Sequence, residues 1–441
     1  MKKVITYGTY DLFHFGHERL LERAKALGDY LIVGVTTDDF DRKRGKINVE
    51  QSLMERVESV RATGLADEII IEEYEGQKID DIKRYDIDIF TVGSDWVGKF
   101  DYLNEFCEVV YLDRTKGVSS TELRTDELNF KFGIVGETHI ATKFYRESKY
   151  VNGIQLTGIC SKEKDHLASF EGEGLLLTDN FEELLEEVDA IFDISHPSKH
   201  YRHIKTALNK GKHVLCEAPI ALDPDQAKEL FDLAREKNLI LMDSIKTAYS
   251  TAYNRLLVLI QSGKIGEVLS VDATCTSLEV IPDQIEDYRW NSITAWAPTA
   301  LLPIFQILGT DYKDIKINSL LARDDYDQFS KIDLTYDHAV ASVKVGKGVK
   351  SEGELIVSGT EGYVYVPAPW WETDYFELRY ENLEENKKYF YQLDGEGIRY
   401  ELVVFAKAIQ MSKANAYIKE EETIATSKIM KEFYDGNINK L

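Results

Sequence analysis

The chain has 441 residues, which is more than one ordinary hydrophobic core accommodates, so we expect two or three domains. Its formal net charge of -24 argues against non-specific binding to nucleic acid. No apolar run reaches membrane-spanning length, and Met1 leads into a predicted strand without a signal-peptide core. We therefore predict a cytoplasmic protein that binds no nucleic acid and does not insert into a membrane.

In the first part of the chain, short apolar runs alternate with amphipathic helical patterns, which indicates a small parallel α/β sheet. The predicted strands are Val4–Tyr7, Leu31–Thr36, Glu68–Ile71, Ile87–Val92 and Val109–Leu112. A second cycle begins with the apolar run Phe130–Gly136, which again enters a glycine turn. Its further predicted strands are Ile154–Cys160, Ala190–Ser195, His213–Cys216 and Leu239–Met242. This second array predicts a dinucleotide-binding Rossmann domain.

Beyond residue 265, alternating β-branched and aromatic residues favour a broad, largely antiparallel sheet. The predicted strands are Val268–Thr276, Lys331–Val345, Glu354–Ser358, Tyr363–Val366 and Tyr375–Tyr380, and the closing helices are Glu401–Gln410 and Glu421–Tyr434. We predict an α/β chain with a Rossmann-like domain at 1–128, a dinucleotide-binding Rossmann domain at 129–248 and an α+β open-sheet domain at 249–441.

The segment from Gly8 to His17 is the strongest chemical signal in the sequence. It follows a predicted strand and enters a helical pattern, so it is a strand-to-helix turn. Such a turn presents backbone N–H groups and a helix start to a phosphate, and the imidazoles of His14 and His17 can stabilise charge on phosphoryl oxygens. The sequence therefore predicts a nucleotide phosphate site here.

Residues 1 to about 125 resemble the glycerol-3-phosphate cytidylyltransferase family of HIGH-type nucleotidyltransferases. The matching motifs are Gly8-Thr9-Tyr10-Asp11, His14-Phe15-Gly16-His17, Leu21-Glu22-Arg23-Ala24-Lys25, Gly28-Asp29-Tyr30, Thr37-Asp38, Trp96-xx-Lys99-Phe100-Asp101 and the run from Arg114 to Thr121. The resemblance implies a homodimer or higher homo-oligomer that joins CTP to a small polyol phosphate, with Mg²⁺ assistance and release of pyrophosphate.

The resemblance also implies roles for individual residues. His14, His17, Lys46 and Arg114 would be catalytic, and Asp11 would also hold the metal. The expected nucleotide-binding residues are Gly8, Thr9, Tyr10, Asp11, Gly16, Arg56, Asp95, Trp96, Thr115, Ser119, Ser120 and Thr121. The hydroxyls at 119–121 also suit an ordinary helix N-cap, which uses the same residue types.

A basic island, Arg42-Lys43-Arg44-Gly45-Lys46, interrupts the acidic sequence. It reads either as a solvated loop or as a contact with an anionic substrate, and the family's lysines in this loop favour the contact. We expect Lys46 and Arg56 to hold the acceptor phosphate and the triphosphate. Ser94 stands where the family often has a second aspartate, and Asp113 replaces a common proline, so the acceptor alcohol is left open.

Residues 129–441 resemble the Gfo/Idh/MocA family of NAD(P)-dependent oxidoreductases. The resemblance rests on Gly133-Ile134-Val135-Gly136, Ser195-His196-Pro197-Ser198-xx-His200, Gly211-Lys212-His213-Val214-Leu215-Cys216-Glu217-xx-Pro219 and Ser262-Gly263-Lys264-Ile265-Gly266-Glu267-Val268. Dinucleotide contacts are expected from Gly133, Gly136, Thr138, Ile140, Ser161, Lys162, Pro197 and Glu217. Ser161 and Lys162 suit a ribose 2′-phosphate, and the alternative is a solvated loop.

Three positions depart from this family's catalytic pattern. Thr138 stands where the fingerprint needs glycine for close approach of the pyrophosphate. Ala218 replaces the lysine of the Glu-Lys-Pro motif, and Ala295 to Thr299 lack the family's aspartate and histidine. Lys246 is the candidate for a relocated redox acid.

We therefore predict a cytidylyltransferase whose acceptor is a polyol phosphate, foremost glycerol 3-phosphate, in teichoic-acid-like or capsule assembly, with a degenerate C-terminal oxidoreductase. One alternative is a bifunctional enzyme whose C-terminal half is an NAD(P)-dependent reductase that supplies the polyol phosphate. The other is a non-catalytic oligomerisation or docking module.

Overall fold

The computed structural model describes residues 1–13, 15–38, 40, 49, 51–74, 76–112, 130–136, 140–149, 151, 153–163, 167–279, 291–322, 326–391, 393, 395–412 and 417–441. The chain divides into two compact units, Met1–Glu127 and Leu128–Leu441. The predicted boundary between residues 248 and 249 stays a prediction. Among the described residues, no helix is both long enough and apolar enough to cross a bilayer.

The first unit is built on a parallel sheet. Its strands are β1 (Lys3–Gly8), β2 (Tyr30–Thr36), β3 (Glu68–Glu72), β4 (Ile89–Gly93) and β5 (Glu108–Leu112), and its described helices are α1 (Phe15–Lys25), α2 (Leu53–Ala62) and α3 (Gln77–Tyr85). The strand order is β3-β2-β1-β4-β5. The order reverses between β1 and β4, and a crevice at such a switch point, outside the carboxyl ends of the strands, is where doubly wound sheets bind ligands.

The central strands of this sheet are mostly apolar, and both of their faces are covered. Val4, Ile5, Leu31, Ile32 and Phe90 are fully buried. Continuous apolar runs are typical of parallel strands packed between two layers of helices. Helix α2 begins with a capping box in which Ser52 and Glu55 satisfy each other's backbone N–H groups.

The second unit contains a second parallel sheet. Its strands are β6 (Phe130–Val135), β7 (Ile154–Cys160), β8 (Leu176–Thr178), β9 (Ala190–Asp193), β10 (His213–Glu217) and β11 (Leu241–Ser244), in the order β11-β10-β9-β6-β7-β8. The accompanying helices are α4 (Ile140–Ser148), α5 (Phe181–Glu187), α6 (Pro197–Asn209) and α7 (Pro224–Glu236). This topology confirms the predicted Rossmann array.

The remainder of the second unit forms an open mixed sheet. Its elements are α8 (Thr251–Gln261), β12 (Val268–Ser277), α9 (Ser292–Leu308), β13 (Asp314–Leu321), β14 (Asp327–Thr335), β15 (Val340–Lys347), β16 (Leu355–Gly359), β17 (Tyr363–Val366), β18 (Tyr375–Arg379), β19 (Lys387–Phe390), α10 (Ile398–Gln410), α11 (Glu420–Tyr434) and β20 (Asn439–Lys440). The strand order is β19-β18-β17-β16-β12-β15-β14-β13-β20. Most neighbours are antiparallel, but β12 runs parallel to β15 and β13 runs parallel to β20.

One strand prediction was wrong. The run Lys331–Val345 is not a single strand, because β14 and β15 pair as an antiparallel hairpin. The chain reverses between them, where Tyr336 donates its backbone N–H to the carbonyl of Ala339 at 2.9 Å. The polar pair Asp337-His338 was the sequence signal for this turn.

Candidate functional site

The turn after β1 is shaped by an aromatic ring. Tyr10 is buried and has a φ of 55°, and Leu12 has a φ of 47°. A Cβ atom at Gly8 would lie 2.9 Å from the Tyr10 ring. A side chain at position 8 would therefore displace the Tyr10 ring, which folds back over the strand end.

The buried side chain of Arg56 holds this turn in place. Its guanidinium donates to the carbonyl oxygens of Thr9 at 2.8 Å, Thr36 at 2.7 Å and Gln51 at 3.0 Å, and it pairs with Asp38. Arg56 is fully buried. This burial is at odds with our prediction that Arg56 contacts the triphosphate directly, because its donors are directed at the protein interior. A positioning role fits the geometry better.

Asp11 connects the same turn to the start of α2. Its Oδ1 accepts the backbone N–H of Gln51 at 2.8 Å, and the side chain is buried. A carboxylate oriented in this way fits the chemistry of a Mg²⁺ ligand, because Mg²⁺ is commonly held by one or two carboxylates together with substrate phosphates. Its role as a metal ligand stays a prediction.

His17 lies on the first turns of α1 among aromatic neighbours. Its ring centroid is 5.5 Å from that of Tyr10 and 5.5 Å from that of Phe13. Gly16 precedes it in the helix. The packing fixes the imidazole beside the glycine turn, as a positioned donor requires.

Trp96 lies at the same edge of the sheet as the turn. It belongs to a short 3₁₀ helix, Ser94–Trp96, that directly follows β4. Because β1 and β4 are parallel neighbours, their carboxyl ends meet at one edge. The Trp96 ring packs against Phe100 and lies 5.1 Å from the Lys99 ammonium. Asp95 shares this helix, and its side chain lies outside the described residues.

Sequence reasoning missed a buried cation at this edge. The Lys78 ammonium pairs with the Glu72 carboxylate at the end of β3, and both side chains are buried. It also lies 4.6 Å from the ring centroid of Tyr7 and 5.5 Å from that of Phe100. A lysine in the first turn of an amphipathic helix is normally expected to be exposed to solvent. The sequence around Lys78 therefore gives little indication that its side chain is buried.

Several predicted site residues lie outside the described residues, and for them only the sequence argument stands. They are His14, Lys46, Arg114, Thr115, Ser119, Ser120, Thr121 and Thr138.

In the second unit, a cavity of about 470 Å³ lies at the carboxyl ends of β6 and β7. Gly136 lines it with a φ of 129°, and a Cβ atom there would lie 2.7 Å from the Ser195 backbone nitrogen. Ser161 and Lys162, which follow the end of the neighbouring strand β7, also line the cavity. A glycine that allows close backbone approach at the end of a first Rossmann strand fits a dinucleotide cradle.

Three other predicted contacts have local structural roles. A Cβ atom at Gly133 would lie 3.0 Å from the Leu184 side chain, so Gly133 allows helix α5 to pack on the sheet. Ile140 begins α4, and Pro197 stands at the first position of α6, where a missing N–H costs nothing.

Glu217 ends β10 and lies within electrostatic reach of two lysines. Burial and the nearby Asp193 carboxylate raise the pKa of Glu217 to about 7, and Lys347 and Lys246 oppose that shift. The Lys246 ammonium is 2.5 Å from Glu372 Oε1 and 3.5 Å from Glu396 Oε2. The candidate redox acid is therefore close to Glu217 but is bound by two other carboxylates.

A buried group of Asp193, His200 and Cys216 meets the distances of a metal site. However, His200 Nδ1 is 2.8 Å from the Pro219 carbonyl oxygen and Nε2 is 2.7 Å from that of Ser195. Both ring nitrogens therefore face carbonyl oxygens, which compete with a metal for them. Burial also raises the pKa of the Cys216 thiol, which opposes the thiolate that a metal needs. The group is better explained as packing that ties two strand ends together.

The N-terminal unit has close relatives among cytidylyltransferases. Residues 5–126 match the family described as cytidylyltransferase-like. The chain is 54% identical over 126 residues to the glycerol-3-phosphate cytidylyltransferase of Bacillus spizizenii, covering 29% of this chain and 97% of that protein. It is 48% identical over 129 residues to the enzyme of the same name from Staphylococcus aureus, covering 29% of this chain and 95% of that protein.

The C-terminal unit is similar to oxidoreductases. Residues 130–244 match the oxidoreductase family with an NAD-binding Rossmann fold, Gfo/Idh/MocA. The chain is 23% identical over 328 residues to the scyllo-inositol 2-dehydrogenase (NADP⁺) of Bacillus subtilis, covering 68% of this chain and 95% of that protein. A 3-ketoreductase from Actinomadura kijaniata, solved with TDP-benzene and NADP, shares the fold with a TM-score of 0.64 at 20% identity, covering 71% of this chain and 98% of that one. The chain thus belongs to the cytidylyltransferase-like family through its N-terminal unit and carries a Gfo/Idh/MocA-type oxidoreductase domain in its C-terminal unit.

Proposed function

We propose that the N-terminal unit joins CTP to a polyol phosphate, foremost glycerol 3-phosphate, and releases a CDP-polyol and pyrophosphate. The observation that carries this proposal is the 54% identity that extends over 97% of a glycerol-3-phosphate cytidylyltransferase. The ordered turn of Gly8, Thr9 and Asp11 at the switch point of the sheet supports it, because that edge is where such folds bind nucleotides.

The reaction needs no nucleophile from the protein. An oxygen of the acceptor phosphate attacks the α-phosphorus of CTP in line, and the bond from that phosphorus to the pyrophosphate oxygen breaks. Catalysis then consists of positioning and charge stabilisation. His14 and His17 would donate to the oxygens around the α-phosphorus, and Arg114 with the hydroxyls of residues 119–121 would hold the leaving pyrophosphate.

Asp11 is the residue that would hold Mg²⁺, which neutralises phosphate charge when it is bound. Arg56 acts indirectly, through the Thr9 and Thr36 carbonyls that it holds. Lys46 would bind the acceptor phosphate.

A screen for pyrophosphate release tests the proposal. CTP is offered with glycerol 3-phosphate and with longer polyol phosphates, and each acceptor is also paired with ATP, GTP and UTP. We expect turnover with CTP and glycerol 3-phosphate above all other pairs. Activity confined to a different polyol phosphate would correct the acceptor, and absence of release with every pair would overturn the proposal.

For the C-terminal unit we propose weak NAD(P) binding without ordinary hydride transfer. The cavity beside Gly136 supports the binding. Ala218 carries no ammonium, and Lys246 is bound by Glu372 and Glu396, so proton transfer lacks its usual donor. We further propose that the protein is a cytoplasmic homodimer or higher homo-oligomer that serves teichoic-acid-like or capsule assembly.

The specific rival is a bifunctional enzyme, favoured by the placement of Lys246 and Lys347 within electrostatic reach of Glu217. In that case the C-terminal unit reduces a keto or aldehyde phosphate to the acceptor. NADPH is mixed with ketose phosphates and its nicotinamide absorbance is followed. Steady oxidation establishes the reductase, whereas a flat trace with detectable binding supports the degenerate domain or a docking module.

A further inference from the structure

We propose that the Asp243 carboxyl and the small cavity that it lines form a pH-sensitive latch, which holds the first turns of helix α11 against the end of strand β11. The inference concerns the C-terminal unit and depends on neither of the activities proposed above. It rests on a buried carboxylate whose two oxygens have different surroundings.

Asp243 is the third residue of β11, and only 6% of its surface is exposed. Its Oδ2 atom accepts a hydrogen bond from the Thr423 hydroxyl on α11. Among the residues that the structure describes, no donor reaches Oδ1. Most buried polar side-chain atoms in proteins are hydrogen-bonded, so this exception needs a physical explanation.

A cavity of about 10 Å³ lies beside Asp243, which is room for about one water molecule. Helix α9 contributes an apolar wall of Pro298, Leu302 and Phe305 to it. No lysine, arginine or histidine is among the described residues that line the cavity. The Asp243 carboxylate therefore lacks a neighbouring side-chain cation on this side, and an apolar surface faces it instead.

The titratable groups around Asp243 come from three segments. Glu422 lies near it on α11, Cys216 is opposite it in β10, and Tyr249 donates its hydroxyl to the Asp243 carbonyl oxygen at 2.7 Å. Burial raises the pKa of the Cys216 thiol and of the Tyr249 hydroxyl well above their ordinary values. Burial also raises the pKa of Glu422. Of these groups, only the two carboxyls can titrate near neutral pH.

A charged Asp243 is unfavourable at this position because burial removes its hydration and Glu422 repels it. Burial raises the pKa of Asp243 to about 7, the hydrogen bond from Thr423 opposes this shift, and the Glu422 carboxylate adds to it. In the neutral carboxyl, a proton on Oδ1 turns that oxygen into a donor, which one water in the cavity can accept.

The docked helix therefore binds this proton more tightly than an open form in which Asp243 regains its ordinary pKa of 3.8. The stability that the latch contributes is complete below that value and is lost as the pH rises towards 7. Further along α11, Ser427 donates to the Ala221 carbonyl oxygen at 2.8 Å. We expect this contact to persist, so the opening is confined to the first turns of the helix.

Hydrogen exchange of the full-length protein, measured by mass spectrometry from about pH 5 to pH 8, tests the inference. We expect the opening constant of the first turns of α11, corrected for the intrinsic exchange rate, to rise at least about tenfold, because one proton changes it by up to about tenfold per pH unit. Asp243→Asn cannot ionise and should abolish the rise. Glu421→Gln, an exposed change on the same turn, should keep it.

Thr423→Val gives a second test in which Asp243 itself is retained. The Thr423 hydroxyl favours the charged carboxylate, so its loss should move the pH at which the rise levels off to a higher value. Thr426→Val is the matched control, because the Thr426 hydroxyl donates instead to the Glu422 carbonyl oxygen at 3.0 Å.

Protection of α11 that stays constant between pH 5 and pH 8 would overturn the inference. A rise that persists in the Asp243 variant would also overturn it, because another group, such as Glu422, would then be its source. If the rise levels off at the same pH in the Thr423 and Thr426 variants, the hydrogen bond to Asp243 is not part of the device. Equal loss of protection in every strand of the unit would indicate global unfolding in place of a latch.

Discussion

The guanidinium of Arg56 donates a 2.8 Å hydrogen bond to the carbonyl oxygen of Thr9. A fully buried arginine therefore holds the turn that follows β1 in the N-terminal unit. The same side chain binds the carbonyls at the end of β2 and before α2. The turn after β1, the end of β2 and the residue before the start of α2 are thus tied together by one side chain.

We predict that Arg56→Lys destabilises the N-terminal unit by about 3 kcal/mol, because a lysine cannot reproduce the planar fork and leaves buried acceptors and Asp38 without their partner. Hydrogen exchange of the β1 and α2 amides, measured by mass spectrometry, reports the loss. Arg61→Lys, an exposed change on the same helix, is the control. Unchanged protection in the Arg56 variant would contradict the positioning role.

His17→Ala should leave folding intact and reduce transfer by about 100-fold or more, as expected when a positioned donor to the transition state is lost. The assay is pyrophosphate release at saturating CTP and acceptor. Arg19→Ala, two residues further along α1 and exposed, should retain full activity. Near-normal turnover of the His17 variant would refute the role.

Lys46→Ala should raise the KM for the acceptor phosphate at least about tenfold and that for CTP much less, because the ammonium would pair with the acceptor dianion. Initial rates with each substrate varied in turn give the two constants. Lys83→Ala serves as an exposed-lysine control. If only the KM for CTP rises, Lys46 serves the nucleotide.

The stability of the C-terminal unit should depend on Glu401 and on pH. Burial raises the pKa of Glu401 from 4.5 to about 8, while its Oε2 accepts from Ser244 Oγ at 2.8 Å. The folded chain therefore binds this proton more tightly than the unfolded chain. The stability that it contributes is complete below about pH 4.5 and is lost as the pH rises towards 8.

Glu401→Gln should remove this dependence, which amounts to at most about 1.4 kcal/mol per pH unit. Urea unfolding followed by tryptophan fluorescence at pH 5.5 and pH 8.5 measures it, and Glu421→Gln is the exposed control. Four of the five tryptophans lie in the C-terminal unit, so the signal reports mainly that unit. An equal pH slope in both variants would exclude Glu401 as its source.

Thr138→Gly combined with Ala218→Lys should improve dinucleotide affinity about tenfold, because the sequence pattern predicts that a side chain at position 138 crowds the pyrophosphate. Turnover should rise far less, since Ala295 and Thr299 still supply no acid or imidazole. Calorimetry and NADPH oxidation give the two readings. Tight NADPH binding with steady oxidation in the unmodified protein would instead establish the bifunctional enzyme.

The sequence alone predicted the parallel sheets of both units and identified the two folds. Strand β7 ends in a buried apolar run, and β17 alternates between more exposed and buried residues; both begin and end where their sequence patterns do. The hairpin of β14 and β15 was read as one strand, because alternating residues continue on both sides of a short turn. The motif from Gly8 to His17 likewise carries its chemistry in consecutive residues.

Only the tertiary structure decided what long-range contacts do to charged side chains. Arg56, Lys78 and Glu401 are charged residues on amphipathic helices, and nothing within their own helices indicates burial. Arg56 acquires its role because the turn at Thr9 and the end of β2 reach it from other parts of the chain. Such contacts between distant parts of the chain follow from the packing of sheets and helices, and the local sequence pattern of one helix does not predict them.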